Sequence, residues 1–138
     1  MLMALKETKK PVNVHKVDKN HSFMESLGYA LEGIRFTLVN ERNIRYQTMG
    51  FVLVMLAAWF FQLPMEKWLI LILTSTIVIC MEISNTIAEW TIDLITNHHY
   101  HPIAKNVKDV AAGGVLISSI VAIIVGLMIF LPEIIALF

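Results

Sequence analysis

Three long apolar runs divide the chain. The first, "YQTMGFVLVMLAAWFFQL" at 46–63, is stopped by Pro64, and the second is "WLILILTSTIVICMEISNTIAEW" at 68–90. The third, "VAAGGVLISSIVAIIVGLMIFL" at 110–131, is stopped by Pro132. Each holds about 18 to 23 residues, enough for a helix to cross a hydrocarbon core of about 30 Å. The connections are expected to be short: "PMEK" after the first run, and 97–109 after the second. Ahead of the first run, in "SFMESLGYALEGIRFTLVNERNIR", residues Phe23, Leu27, Ala30, Leu31, Ile34 and Leu38 recur at three- and four-residue steps. That spacing predicts an amphipathic helix over about 22–40, lying in the membrane interface. The alternative, packing within a soluble domain, leaves too few residues for a core. The fold predicted is all-α and integral to the membrane, with a surface helix and three spans in one domain, 22–138. The tail 1–21 is polar and basic and lacks the apolar core of a cleavable signal peptide.

Composition supports the membrane reading. Apolar residues make up 57% of the 138, and mean hydropathy is +0.66, above ordinary globular usage. The formal charge is zero, which removes the electrostatic footprint a nucleic-acid partner requires. Its distribution is lopsided: Lys6, Lys9, Lys10, Lys16, Lys19, Arg35, Arg42 and Arg45 all precede or open the first run. Lys105 and Lys108 follow the second run, and only Lys67 lies in the first connection. Basic loops stay on the cytoplasmic side, so the N-terminus and the second connection are expected there. The single cysteine, Cys80, allows no internal disulfide and is expected to be a small buried side chain. Trp59, Trp68 and Trp90 are expected at interfacial or lipid-facing positions.

The second run carries the chemistry. At about 100° per residue, Glu82, Asn85, Glu89 and Asp93 fall within one narrow face of one helix. An Asp at the centre of a membrane helix costs about 2.5–3.5 kcal/mol on insertion scales, so this face must avoid lipid. It should point to another helix, a neighbouring subunit or a water-filled cavity. Three spans are too few to enclose it, so a neighbouring subunit is expected to cover it. Counted from Trp68, Glu82 lies about 21 Å along the helix and Glu89 about 10 Å further, nearer water. A deep carboxylate suits proton abstraction, and a shallower one suits a metal carried in with a phosphate substrate. The competing reading is a polar seam that only joins helices.

Two stretches, "E-x-x-N-T-x-x-E-x-x-x-D" at 82–93 and "HP-x-AK-x-x-KDVAAGGVL" at 101–116, resemble the prokaryotic diacylglycerol kinases. These are small integral-membrane lipid kinases. The segment "GYALEGIRFTLVNERNIR" at 28–45 is similar to that family's surface helix and the turn into its first span. The "HP" and "KDVAAGGVL" wording resembles the Gram-positive branch, whose members phosphorylate undecaprenol more than diacylglycerol. The resemblance implies an ATP- and Mg²⁺-dependent enzyme of the bacterial plasma membrane, a homotrimer with active sites shared between subunits. By the same resemblance Glu82 is the general base and Glu41 with Glu89 are metal ligands. Asn85 is an active-site polar group, Lys108 and Asp109 a nucleotide-binding pair, and Tyr29, His99, Tyr100 and His101 further nucleotide contacts. Ser22 stands where the family usually has a basic residue.

Other features are read more plainly. There is no Walker A pattern and no soluble-kinase glycine-rich loop, so phosphates would be held by metal, Lys108 and polar groups. Lys108 taken alone reads as a positive-inside anchor. Arg45 reads as a snorkelling anchor, with closure over a phosphate or lipid headgroup as the alternative. "AAGG" at 111–114 is expected to be a close-packing face. Asp93 is expected to orient a side chain rather than bind metal. The rival functions are a diacylglycerol kinase making phosphatidic acid, an ion- or proton-conducting oligomer using the same carboxylates, and a non-catalytic scaffold.

Overall fold

The computed structural model describes residues 22–137; the basic tail 1–21 lies outside the described residues. Four helices follow in order: α1 (Phe23–Asn40), α2 (Arg42–Phe60), α3 (Met65–Thr96) and α4 (Pro102–Ile135). Ser22 starts α1, because its hydroxyl accepts the Glu25 backbone N–H at 3.2 Å and so satisfies an orphan donor of the first turn. A single residue, Glu41, joins α1 to α2 in an extended conformation. The Arg45 guanidinium turns back over this elbow and donates to the Val39 carbonyl at 2.6 Å, at the C-terminal end of α1. A cation there complements both the unsatisfied carbonyls and the helix dipole.

The helices α2, α3 and α4 pack side by side in alternating directions. At one end of α3, Ala58, Leu63, Leu71 and Ile129 form a buried cluster, with Trp68 packed against it. At the same end Lys67 pairs with Glu133 at 2.6 Å, and at the other Lys108 pairs with Asp93 at 2.6 Å. These pairs run in opposite chain order and fix α3 and α4 as antiparallel. Between them Gly114 lies so close to α3 that a Cβ there would collide with the Met81 methyl, whereas Gly113 has open space, so of the close-packing face expected at 111–114 it is Gly114 that packs closely. Indole and carboxylate likewise bind Trp90 of α3 to Glu41 at the start of α2, setting α2 antiparallel to α3.

Several expectations are corrected. The second connection is 97–101 rather than 97–109, because Pro102 opens α4 and the His101 ring caps it by accepting the Ile103 N–H. The basic residues 105 and 108 therefore sit on a helix. Pro132 lies inside the final turns of α4 and does not stop it. Cys80 is exposed on the outer face of α3, not buried. Trp68, near the start of α3, is half-buried against the cluster. By length and composition two helices, α3 and α4, are apolar enough to cross a membrane. The first apolar run yields a shorter helical piece than expected: α2 ends at Phe60, and 61–64 form the turn into α3.

Ala58 is fully buried where α2 meets α3. Ala58→Leu should force the helices apart and cost about 1–3 kcal/mol, read as a lowered unfolding midpoint in detergent.

Candidate functional site

Burial along the polar face of α3 is graded. Glu82 is 3% exposed and Asn85 6%, whereas Glu89 and Asp93 are half-buried. The cover comes from the chain's own helices, so the expectation that a neighbouring subunit is needed to bury Glu82 and Asn85 does not hold. Ile44 of α2 and Ala104 and Ser118 of α4 are buried too. Toward the opposite end the buried positions of α3 are Val78 and Leu71, both apolar. The polar face thus ends blindly at Glu82 and opens at Asp93.

Each carboxylate above Glu82 has a partner. The Asn85 amide donates to Glu89 Oε1 at 3.1 Å, which leaves Asn85 Oδ1 buried without a partner among the described residues. One helical position on, the Trp90 indole N–H donates to Glu41 Oε1 at 3.0 Å while its ring meets Phe36 edge-on at 5.1 Å. The elbow carboxylate is thereby carried to the level of Glu89. Sequence reasoning placed Trp90 at the interface and missed this role. The signal available was the indole itself, which carries a hydrogen-bond donor on an apolar ring. Glu41 and Glu89 each spend one oxygen in these bonds.

A second region caps the open end. Asp93, Thr96, His99, His101, Lys105 and Lys108 are among the residues lining a recess of about 360 Å³ between the ends of α3 and α4. Asn97 and His98 take left-handed backbone conformations, turning the chain sharply across the recess. Inside it Lys108 binds Asp93 across the two helices, and Lys105 binds Asp109 one turn along α4. The two members of the expected nucleotide pair therefore point to different partners. Asp93 lies beyond the apolar run that ends at Trp90. The hydrogen bond from Lys108, aided by the charges of Lys108 and His98, holds its carboxyl below the ordinary range against the opposing effect of burial. His99 donates from Nδ1 to the Thr96 carbonyl at 3.2 Å, and Tyr100 is exposed. Tyr29 on α1 is bonded to Glu25 at 3.3 Å and joins neither region. Arg45 is occupied by the α1 carbonyls.

The sequence pattern of the prokaryotic diacylglycerol kinases matches residues 28–130, which contain every one of these groups except Ser22 and Glu25. The chain belongs to the prokaryotic diacylglycerol kinase family. The undecaprenol kinase of Bacillus subtilis is 36% identical over 119 residues, covering 86% of this chain and 95% of that protein. The diacylglycerol kinase of Synechocystis is 36% identical over 129 residues, 94% of this chain and 74% of that one. The Escherichia coli diacylglycerol kinase is 29% identical over 101 residues, 73% and 82% respectively. This family member is a lipid kinase. Its family also places it in a bacterial membrane, in keeping with two helices long and apolar enough to span one.

Proposed function

We propose that the chain transfers the γ-phosphoryl group of ATP to the hydroxyl of undecaprenol, giving undecaprenyl phosphate at the cytoplasmic face of the bacterial plasma membrane. The observation that carries this reading is the graded face of α3, with a buried base at its blind end and polar groups at its open end. A lipid hydroxyl reaches Glu82 from the bilayer, and a nucleotide reaches Glu89 and the recess from water. Asn85, whose amide donates to Glu89, stands on the same face one turn along α3 from the base. Glu82 then takes the hydroxyl proton as the oxygen attacks the γ-phosphorus and ADP leaves. An apolar groove of about 490 Å³, including Val78, Phe51, Ser119, Ile123 and Phe130, begins one turn from Glu82 and suits a long hydrocarbon tail. The similarity to the undecaprenol kinase spans nearly all of that protein, which favours undecaprenol; diacylglycerol is the second reading, favoured by the Synechocystis relative.

The donor set fits Mg²⁺. No group of three metal-ligating side chains occurs among the described residues. Mg²⁺, however, usually keeps its waters and takes one or two carboxylates besides the substrate phosphates. Glu41 and Glu89, each with one oxygen left over, would hold it, and it would neutralise charge on the phosphates. Lys108 adds a positive charge for the same purpose. An ion-conducting role is less well supported, because the buried face continues past Glu82 as Val78 and Leu71.

We also infer three spans, with α2 as the third, a cytoplasmic N-terminus, and a homotrimer with shared sites. One geometric fact supports sharing. Asp93, which holds Lys108, lies about 16 Å along α3 from Glu82, a separation that a Lys108 supplied by a second chain would shorten.

Purified protein given labelled ATP with undecaprenol or diacylglycerol should phosphorylate undecaprenol faster; no transfer to either lipid would overturn the kinase mechanism. Glu82→Gln should lower turnover about 10²–10⁴-fold with ATP binding retained. Glu41→Ala and Glu89→Ala should each raise the Mg²⁺ concentration needed for half-maximal rate; an unchanged Mg²⁺ dependence makes that residue structural. Co-assembled Glu82→Gln and Lys108→Ala subunits, each inactive alone, should regain activity if a site draws on two chains.

A further inference from the structure

We propose that Asp93 is a positioning residue for phosphoryl transfer, acting through Lys108 and not as a ligand itself. The inference rests on the proposed role of Lys108 in neutralising the transferred phosphate.

Two ion pairs join α3 to α4, and they are close to identical in form. Lys67–Glu133 and Lys108–Asp93 both measure 2.6 Å, with side chains 34% and 30% exposed in the first and 35% and 31% in the second. If both were only tethers, their removal would have the same effect. Their settings differ. Lys67–Glu133 lies beside an apolar cluster at the end remote from the polar face. Lys108–Asp93 lines the recess at the open end of that face, one turn beyond Glu89.

A lysine ammonium is a point charge on a flexible four-carbon stem, and it has three donors. Asp93 Oδ1 takes one donor at 2.6 Å, which confines the stem and leaves two donors for a phosphate. Asp93 Oδ2 faces the exposed His98, with Nδ1 at 3.8 Å. The neighbouring Asp109 is engaged by Lys105 and does not compete for Lys108. Without Asp93 the nucleotide meets a freer but less compensated cation: it gains attraction and loses preorganisation. Ground-state binding therefore changes little. Transfer depends on where the charge stands as the γ-phosphorus moves, and misplacement by about an ångström costs up to about 10²-fold.

The test compares Asp93→Asn, Asp93→Glu and Lys67→Met in the full chain, with labelled ATP and lipid, alongside equilibrium binding of Mg-ATP. Asp93→Asn is expected to lower kcat about 10- to 100-fold while KM for ATP and the number of ATP sites stay within about threefold. Asp93→Glu, which restores the carboxylate, is expected to recover most of that loss. Lys67→Met is expected to lower the unfolding midpoint as much as Asp93→Asn does, with kcat unchanged. The proposal is overturned if Asp93→Asn turns over like Lys67→Met, or if Asp93→Glu is as impaired as Asp93→Asn. A wild-type protein without kinase activity would instead overturn the proposed function, and this inference with it.

Discussion

A carboxylate inside a bilayer has to be covered, and that requirement organises this molecule. Glu82 sits in the middle of an apolar helix, where exposure to lipid would cost several kcal/mol. Its cover comes from the chain's own helices, and α2 and α4 are the ones that pack on α3; the short connections make both antiparallel to it. Ala58, fully buried, and Gly114, against Met81, mark where that closeness is reached by small residues. The exposed large side chains of α3 and α4, among them Ile77, Leu116 and Ile124, are then free to face hydrocarbon.

Covering one end of the polar face and opening the other gives it direction. Past Glu82 the buried positions of α3 are apolar, Val78 and Leu71. At the open end three links hold charged groups: Glu41 to Trp90, Asp93 to Lys108 and Asp109 to Lys105. Exposed ion pairs contribute little stability, about 0–1 kcal/mol, so these links matter more for where they hold charge than for holding helices. The elbow serves the same end. With one residue between α1 and α2, and Arg45 folded over the last carbonyls of α1, Glu41 has little freedom to leave the level of Glu89.

Much of this follows from the chain alone. A face of four polar residues at helical spacing, Glu82 to Asp93, is a property of local periodicity, as are the amphipathic α1 and the two long apolar helices. Such signals are readable because neighbours within a few residues decide them. What depends on contacts distant in sequence was not readable. The exposure of Cys80 depends on which face α3 turns outward, and the partners of Lys108 and Trp90 depend on the register of whole helices. The length of α4 was misjudged because His101 and Pro102 start it two turns before the apolar run begins. The cover of Glu82 by the chain's own helices was also hidden: counting spans says how many helices there are, whereas only their packing decides what lies between them.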